Sequence, residues 1–241
     1  MSTDSYLTLA GPVRHEVEIK RSRFIGCLFP VTSIEQARDH IAELRHEFHD
    51  ARHRPSAFVL GAARSTARTS DDGEPAGTAG APMLQALLGH QAPAVGQQTP
   101  PPGRQPAHKS AAPAGTNAPQ LSDILAVVVR YFGGIKLGAG GLTRAYGGTV
   151  TATLDTAPLL LRRRMQLLGV HLPLANAGTI EAALRTAGLT ITSSTWTGTG
   201  EMLTIAANPT DSDSIHEQII ALSAGTAAIE PAGEQWIDQA I

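Results

Sequence analysis

The sequence of 241 residues predicts an α+β protein of two domains, because its two parts show different patterns of strands and helices. In residues 165–241 the apolar periodicities follow the order βαββαβ. Upstream, residues 127–146 (VVVRYFGGIKLGAGGLTRAY) join a β-branched run to a glycine-rich segment and a helical pattern. The length suits two small domains or one large one, and residues 159–164 mark a boundary, so we predict a first domain at residues 1–160 and a second at 165–241.

The distribution of charge follows the same division. Residues 1–164 carry a net charge of +5 and residues 165–241 carry −7, although the whole chain carries only −2. A polyanion such as RNA is therefore expected to bind the first part and to be repelled by the second.

The second domain is predicted to be ferredoxin-like. Its strands are expected at residues 165–172, 189–196, 201–207 and 226–236, with helices at 175–187 and 212–222. Residues 197–200 (TGTG) are typical of a hairpin turn between the two middle strands. The order βαββαβ is that of the ferredoxin-like motif.

The first domain begins with strands and a helix. Residues 13–20 alternate between apolar and polar and predict a half-buried strand, and residues 24–29 and 57–60 predict two more. Ser33 and Gln36 form a capping box for a helix over residues 34–48. A short helix is expected at residues 83–88, and a further helix follows the glycine-rich segment to about residue 155.

A segment at residues 91–120 interrupts this pattern. It is rich in Pro, Ala, Gln and Gly and contains almost no large apolar side chain. Such a segment buries too little apolar surface to offset its ordering entropy. We therefore predict a disordered insertion.

Two motifs carry the chemistry of the first domain. In residues 130–146 three cationic side chains surround glycines that precede a helix, where unpaired amides favour an anion. In residues 70–84 (SDDGEPAGTAGAPML) three acids lie in a loop that leads into a helix.

Together with Ala51-Arg52-His53, these motifs resemble the YigZ/IMPACT family. Its bacterial members are YigZ-like, and its eukaryotic members are the IMPACT translational regulators. The resemblance covers the whole chain except about residues 91–120. It implies a first domain like domain IV of elongation factor G, with a mixed sheet and helices on one side, and a ferredoxin-like second domain. It also implies a role around translation.

From the motifs and the resemblance we predict a functional surface in the first domain. Its candidate residues are His53, Asp72, Glu74, Arg130, Tyr131, Gly133, Gly134, Lys136, Gly138, Gly140, Gly141 and Arg144. The candidates for nucleic-acid contact are Arg21, Arg23, Arg130, Lys136 and Arg144. The surface depends on the acidic and glycine-rich segments being folded against each other.

Each motif also has a structural interpretation. The carboxylates of the acidic segment either bind Mg²⁺, transfer protons or recognise a partner, or they cap helix starts and pair with Arg130 or Arg144. The glycines either contact a phosphate or allow close packing of strand and helix, with Arg130 paired to the acids. Thr143 stands where a dinucleotide-binding motif needs its third glycine, which argues against NAD.

Other chemistry has little support, and we predict no cofactor and no metal site. Cys27 lies in an apolar run and predicts a small core residue, and His46, His49 and His53 lack a zinc-binding pattern. Residues 162–164 (RRR) are interpreted as a solvated linker. The single cysteine, and the lack of a long apolar run or a leader-like start, predict a cytoplasmic protein without a membrane partner.

Three functions remain open. The first is a non-enzymatic, translation-associated regulator that binds RNA or the ribosome through the first domain. The second is a hydrolase or transferase that acts on an anionic or phosphorylated small molecule. The third is a protein-interaction module that uses the acidic second domain. The catalytic residues, if any, and the oligomeric state are left open.

Overall fold

The computed structural model describes residues 4–90 and 119–240. The chain divides into two units, one up to Leu161 together with the last residues from Gln239 onward, and one over Arg162–Asp238. The predicted insertion at residues 91–120 lies almost entirely outside the described residues. Across the described part of the chain, no helix has the length and apolar character needed to span a membrane.

The first unit is built on a five-stranded sheet. The strands of the unit are β1 (Ser5–Leu9), β2 (Val13–Ile19), β3 (Ser22–Pro30), β4 (Ser56–Leu60), β5 (Thr66–Ser70) and β6 (Ile124–Tyr131), and its helices are α1 (Ile34–Glu47), α2 (Gly80–Gly89) and α3 (Ala139–Leu154). The sheet has the order β2-β3-β6-β4-β5, and its neighbouring strands run antiparallel. The predicted strands and helices are present with small shifts of their ends, and β1 and β5 are additional.

Helices cover both faces of this sheet, so the expectation of a mixed sheet with helices on one side is wrong. On one face Phe24 and Val128 pack with residues of α2 and α3 such as Met83 and Tyr146. On the other face alternate residues of β3 and β6 pack with α1. The continuous apolar run of β6 explains this arrangement, because a strand with two buried faces has no polar alternation.

Cys27 lies in the core on the α1 face, as its apolar neighbours predict. Burial raises the pKa of its thiol to about 11. The thiol is therefore protonated at neutral pH and is a poor nucleophile.

The second unit has the element order βαββαβ. It comprises β7 (Leu159–Pro173), α4 (Ala177–Thr186), β8 (Thr190–Thr197), β9 (Gly200–Ala207), α5 (Ser212–Leu222) and β10 (Ala228–Ala240). The strand order is β10-β7-β9-β8, which places both helix crossovers as in a ferredoxin-like fold. Alternate residues of β7 and β9, among them Val170, Leu203 and Ile205, fill the core of this unit.

The interpretation of residues 162–164 as a solvated linker is wrong, because these arginines lie within β7. Arg162 donates from Nε and Nη2 to the two carboxylate oxygens of Asp238 at 2.5 and 2.8 Å. Arg164 Nη1 lies 3.5 Å from Glu234 Oε2. The acids of β10 supply partners that a three-residue motif does not reveal.

Candidate functional site

Two loops of the first unit form the candidate site. The acidic loop (residues 71–79) connects β5 to α2, and the glycine loop (residues 132–138) connects β6 to α3. Gly140 and Gly141 therefore belong to the first turn of α3 rather than to the loop. The structure brings the two loops together, and each carboxylate of the acidic loop has a specific partner.

Asp71 caps the start of α2. Its Oδ1 accepts hydrogen bonds from the amides of Ala79 and Gly80 at 3.0 and 2.8 Å, and its Oδ2 accepts one from Gly77 at 2.8 Å. Burial alone would raise the pKa of this carboxyl, but the three amide hydrogen bonds outweigh it and lower the pKa. The ionised side chain thus replaces the cap that Ala79 lacks.

Asp72 contacts one arginine of α1 and another in the segment between α1 and β4. Its Oδ2 accepts a hydrogen bond from the backbone amide of Arg54 at 2.8 Å, and its Oδ1 accepts one from Arg45 Nη2 at 3.3 Å. Its backbone lies in the left-handed region at φ 41°, and its carbonyl oxygen is 2.9 Å from His53 Nδ1. Because a carbonyl only accepts, His53 carries its proton on Nδ1, which leaves Nε2 as the acceptor of the neutral ring.

Glu74 forms a buried cluster with Arg130 and Tyr146. Its Oε1 accepts hydrogen bonds from Arg130 Nη1 at 2.5 Å and from the Tyr146 hydroxyl at 2.6 Å. The side chains of Glu74 and Arg130 are only 4% and 8% exposed. Burial, together with the hydrogen bond to Glu74, raises the pKa of Tyr146 far above its ordinary value. The cluster joins the acidic loop, the end of β6 and the middle of α3.

Arg130 is also held by aromatic rings and by the backbone. Its guanidinium carbon lies 5.5 Å from the centre of the Phe24 ring and 5.6 Å from that of Phe132. Its amide donates to the carbonyl of His53 at 3.0 Å. Its Nε is buried and has no hydrogen-bond partner in the structure. Arg130 is therefore a fixed, largely neutralised cation with one unsatisfied donor.

A pocket of about 370 Å³ opens beside this cluster. Four cationic or titratable side chains line it: Arg52, His53, Arg130 and Lys136. Gly138 and Ala139, at the start of α3, complete the polar part of the wall. Asp72 and Glu74 do not add charge here, since arginines engage both carboxylates.

Helix α3 begins at this pocket, and its first amides have no partner within the helix. Gly138 is the N-cap residue, with φ 69°, and has no side chain to cap the helix. The first intrahelical bond is donated by Leu142 to the Gly138 carbonyl. The amides of Ala139, Gly140 and Gly141 precede that bond and are the donors that helix starts offer to anions.

The remaining wall of the pocket is apolar. It is formed by Pro75, Phe132, Leu137 and Leu142. Phe132 is 56% exposed, which is unusual for a large aromatic side chain that directly follows a buried strand. The pocket therefore combines an anion-binding side with an accessible aromatic ring.

The other glycines of the motif have different structural roles. A Cβ at Gly133 would lie 1.9 Å from the carbonyl oxygen of Arg21, so this position requires glycine. Gly134 has φ 88°, a left-handed conformation that glycine adopts without strain. Gly133 thus allows close approach to the turn between β2 and β3 rather than packing of a strand against a helix, whereas Gly138 forms the uncapped start of α3.

The predicted nucleic-acid contacts fall into two groups. In the first group the cations are already paired: Arg130 with Glu74, and Arg23 with both oxygens of Glu16 at 2.9 Å. Arg23 also lies over the ring of Tyr131. The hydroxyl of Tyr131 donates a hydrogen bond to Asp50. Lys136, Arg144 and Arg21 are exposed. Arg144 Nη1 lies 3.7 Å from where a Cβ of Gly140 would be, so its charge is close to the first turn of α3.

Two lining residues with side chains suited to binding, Arg52 and Phe132, were not among the predicted site candidates. Arg52 lies directly before His53 in the segment that carries the family resemblance, yet only its neighbour was selected. Phe132 follows Tyr131 at the end of a buried strand, so the sequence favours a buried ring. Only the structure shows that the ring is exposed. No group of three or more metal-ligating side chains lies together in residues 4–90 and 119–240.

Comparisons with known proteins assign the chain to a family. The model of the Impact N-terminal domain matches residues 20–95 and 116–154, which include both loops. The IMPACT family member YvyE of Bacillus subtilis is 35% identical over 181 residues, which are 75% of this chain and 70% of that protein. The chain belongs to the IMPACT family, and the resemblance predicted from the two motifs is confirmed.

Further relatives agree with this assignment. The IMPACT family member YigZ of Escherichia coli is 42% identical over 153 residues, 63% of this chain and 61% of that protein. A crystal structure described as that of a hypothetical protein is 32% identical, with a TM-score of 0.55, and the match covers 94% of this chain and 96% of that one. The similarity of this structure confirms the α+β fold class.

The cap made by Asp71 predicts a pH-dependent stability. Since the folded-state pKa lies below its ordinary value of 3.8, the ionised carboxylate stabilises the fold above that value, and this contribution is lost as pH falls through the folded-state pKa. Asp71→Asn replaces one of the two accepting oxygens by an amide group that cannot accept, so it is expected to lower the free energy of unfolding by about 1 kcal/mol at pH 7. Urea denaturation followed by circular dichroism measures this deficit, which should shrink steadily below pH 4.

Asp39→Asn, an exposed acid on α1, is the matched control and should change stability little at any pH. A deficit for Asp71→Asn that is equally large at pH 7 and at pH 2.5 would show that charge on Asp71 does not cap the helix.

Proposed function

We propose that this protein is a translation-associated regulator whose first unit binds RNA, free or in the ribosome, at the pocket between the acidic loop and the glycine loop. Membership of the IMPACT family supports a translation-associated regulatory role at the level of the family. The observation that carries RNA binding is the combination of Lys136, the open start of α3 and the exposed Phe132 in one pocket.

The chemistry of the pocket fits one nucleotide of a single strand. A phosphate is complementary to the free amides of α3 and to the ammonium group of Lys136. The ring of Phe132 offers a face on which a base stacks, and stacking accepts any base. The volume of about 370 Å³ lies within the range of sites that hold molecules of nucleotide size.

The arrangement of charge favours binding of moderate strength. Glu74 neutralises Arg130 and Glu16 neutralises Arg23. Among the described residues, the cations left for phosphates at the pocket and the first turn of α3 are Lys136, Arg144 and Arg52, while Arg21 is exposed on the turn between β2 and β3. The acidic residues 165–241, with a net charge of −7, do not attract a polyanion. Three phosphate contacts imply a log–log salt slope of about −2 for a single strand.

Fluorescence anisotropy with a labelled single-stranded RNA of ten nucleotides tests this proposal. Lys136→Glu and Arg144→Glu should each weaken binding and make the salt slope shallower by about 0.7, because each removes a phosphate contact. Phe132→Ala should weaken binding about tenfold and leave the slope unchanged, because it removes stacking and no charge. Sedimentation with ribosomes should show the same order of variants.

Arg38→Glu, an exposed charge reversal on α1, controls for the change in net charge and should reduce binding least. The proposal fails if RNA and ribosomes do not bind at low salt. It also fails if Lys136→Glu and Arg38→Glu have equal effects.

A second candidate function is an enzyme that acts on an anionic or phosphorylated small molecule. The observation that favours it is His53, which lines the same pocket and whose hydrogen bond to the Asp72 carbonyl leaves Nε2 available for proton transfer. The engagement of Asp72 and Glu74 by arginines weakens it, because neither carboxylate is then a ready base. Turnover of a phosphorylated compound that is lost in His53→Gln would favour the enzyme over the RNA-binding protein.

A further inference from the structure

The second unit contains a smaller pocket of about 240 Å³. It lies where β7 and β9 meet the turn between β8 and β9, and its polar lining consists of His171, Thr197, Thr199, Glu201 and Thr226. Its volume is below the ~300–1,000 Å³ typical of sites for whole small molecules. A pocket of this size accommodates a single side chain.

Glu201 occupies a core position at the start of β9. Alternation along the strand places it on the same face as Leu203 and Ile205, which are completely buried. Glu201 itself is only 2% exposed. An acid on the apolar face of a strand is costly unless a partner compensates its charge.

The hydrogen bonds of this carboxylate are incomplete. Its Oε1 accepts a hydrogen bond from the Ser194 hydroxyl at 2.6 Å. Its Oε2 is buried and has no hydrogen-bond partner in the structure. The ring of His171, which also lines the pocket, is directed to Glu230, with 3.1 Å between Nε2 and Oε1. The pocket therefore holds a buried acceptor without a donor.

Two large apolar side chains adjacent in sequence to lining residues of the pocket are exposed. Trp196 is the direct cross-strand partner of Glu201 and is 55% exposed. Leu174, which follows the lining residue Pro173, is also exposed. An exposed tryptophan next to a buried charge is typical of protein contacts, in which Trp and Arg are enriched and the aromatic ring lies against a basic side chain.

We propose that this pocket receives a lysine or arginine side chain of a basic protein partner, with the Glu201 carboxylate as its counter-ion. The donor of the partner supplies the hydrogen bond that Oε2 lacks, and Trp196 packs against its methylene groups. The net charge of −7 in residues 165–241 attracts such a partner and repels the RNA proposed for the first unit. This site is independent of the RNA-binding pocket.

The full-length protein, labelled with ¹⁵N, tests the proposal by titration with three probes. These are N-acetyl-arginine amide, its neutral analogue N-acetyl-citrulline amide, and a peptide in which one arginine is flanked by apolar residues. The arginine probe should shift the amide signals of Ser194, Thr197 and Glu201, and citrulline should not. The peptide should bind at least tenfold more tightly than the single residue.

Two variants identify the groups responsible. Glu201→Gln keeps the shape of the side chain and should abolish binding, whereas Glu230→Gln, an exposed acid beside the pocket, should retain most of it. Trp196→Ala should remove the advantage of the peptide while leaving weak binding of arginine amide. Circular dichroism verifies that each variant is folded.

Equal binding of citrulline, or unchanged binding in Glu201→Gln, would overturn the proposal. A peptide that binds no more tightly than arginine amide would identify a site for a free cationic metabolite and would overturn the assignment of a protein partner.

Discussion

The first unit depends on the buried ion pair between Glu74 and Arg130. The pair connects the acidic loop to the end of β6, directly before the glycine loop and 56 residues further along the chain. Tyr146 extends the connection to α3. A buried carboxylate or guanidinium without its partner would be strongly destabilising, so neither loop is expected to keep its position alone. The pocket exists because the pair fixes both of its sides.

The ion pair distinguishes the residues that hold the two loops in place from those that remain available for binding. The three acids cap α2, anchor the segment around Arg54 and neutralise Arg130. The remaining cationic character comes from Lys136, Arg52, Arg144 and the open start of α3, which are accessible from solvent. The acidic loop thus fixes the position of these cationic groups, while its own carboxylates are engaged elsewhere and add no free charge to the pocket.

The sequence predicted the parts of the fold that have a strong local pattern. Residue spacing was enough to predict the apolar strand β6, the capping box of α1 and the βαββαβ order. The short, polar edge strand β5 was missed because its exposed residues show no alternation. The pairing of Arg130 with the acidic loop was one of two interpretations, since several arginines could reach the acids. Exposure of Phe132 and burial of Glu201 depend on long-range packing, which the local sequence does not determine.

Amide hydrogen exchange in full-length Glu74→Gln tests the central claim most directly. If the pair holds both loops, amides at both places should lose protection together, by at least tenfold. These are the amides of Gly77 and Gly80 at the acidic loop and the start of α2, and those of Gly133 and Leu142 at the glycine loop and the first turn of α3. Amides of β9 should not change, and neither should any loop in Glu16→Gln, which breaks an exposed pair with Arg23. Retained protection in both loops, or loss confined to the acidic segment, would contradict the account.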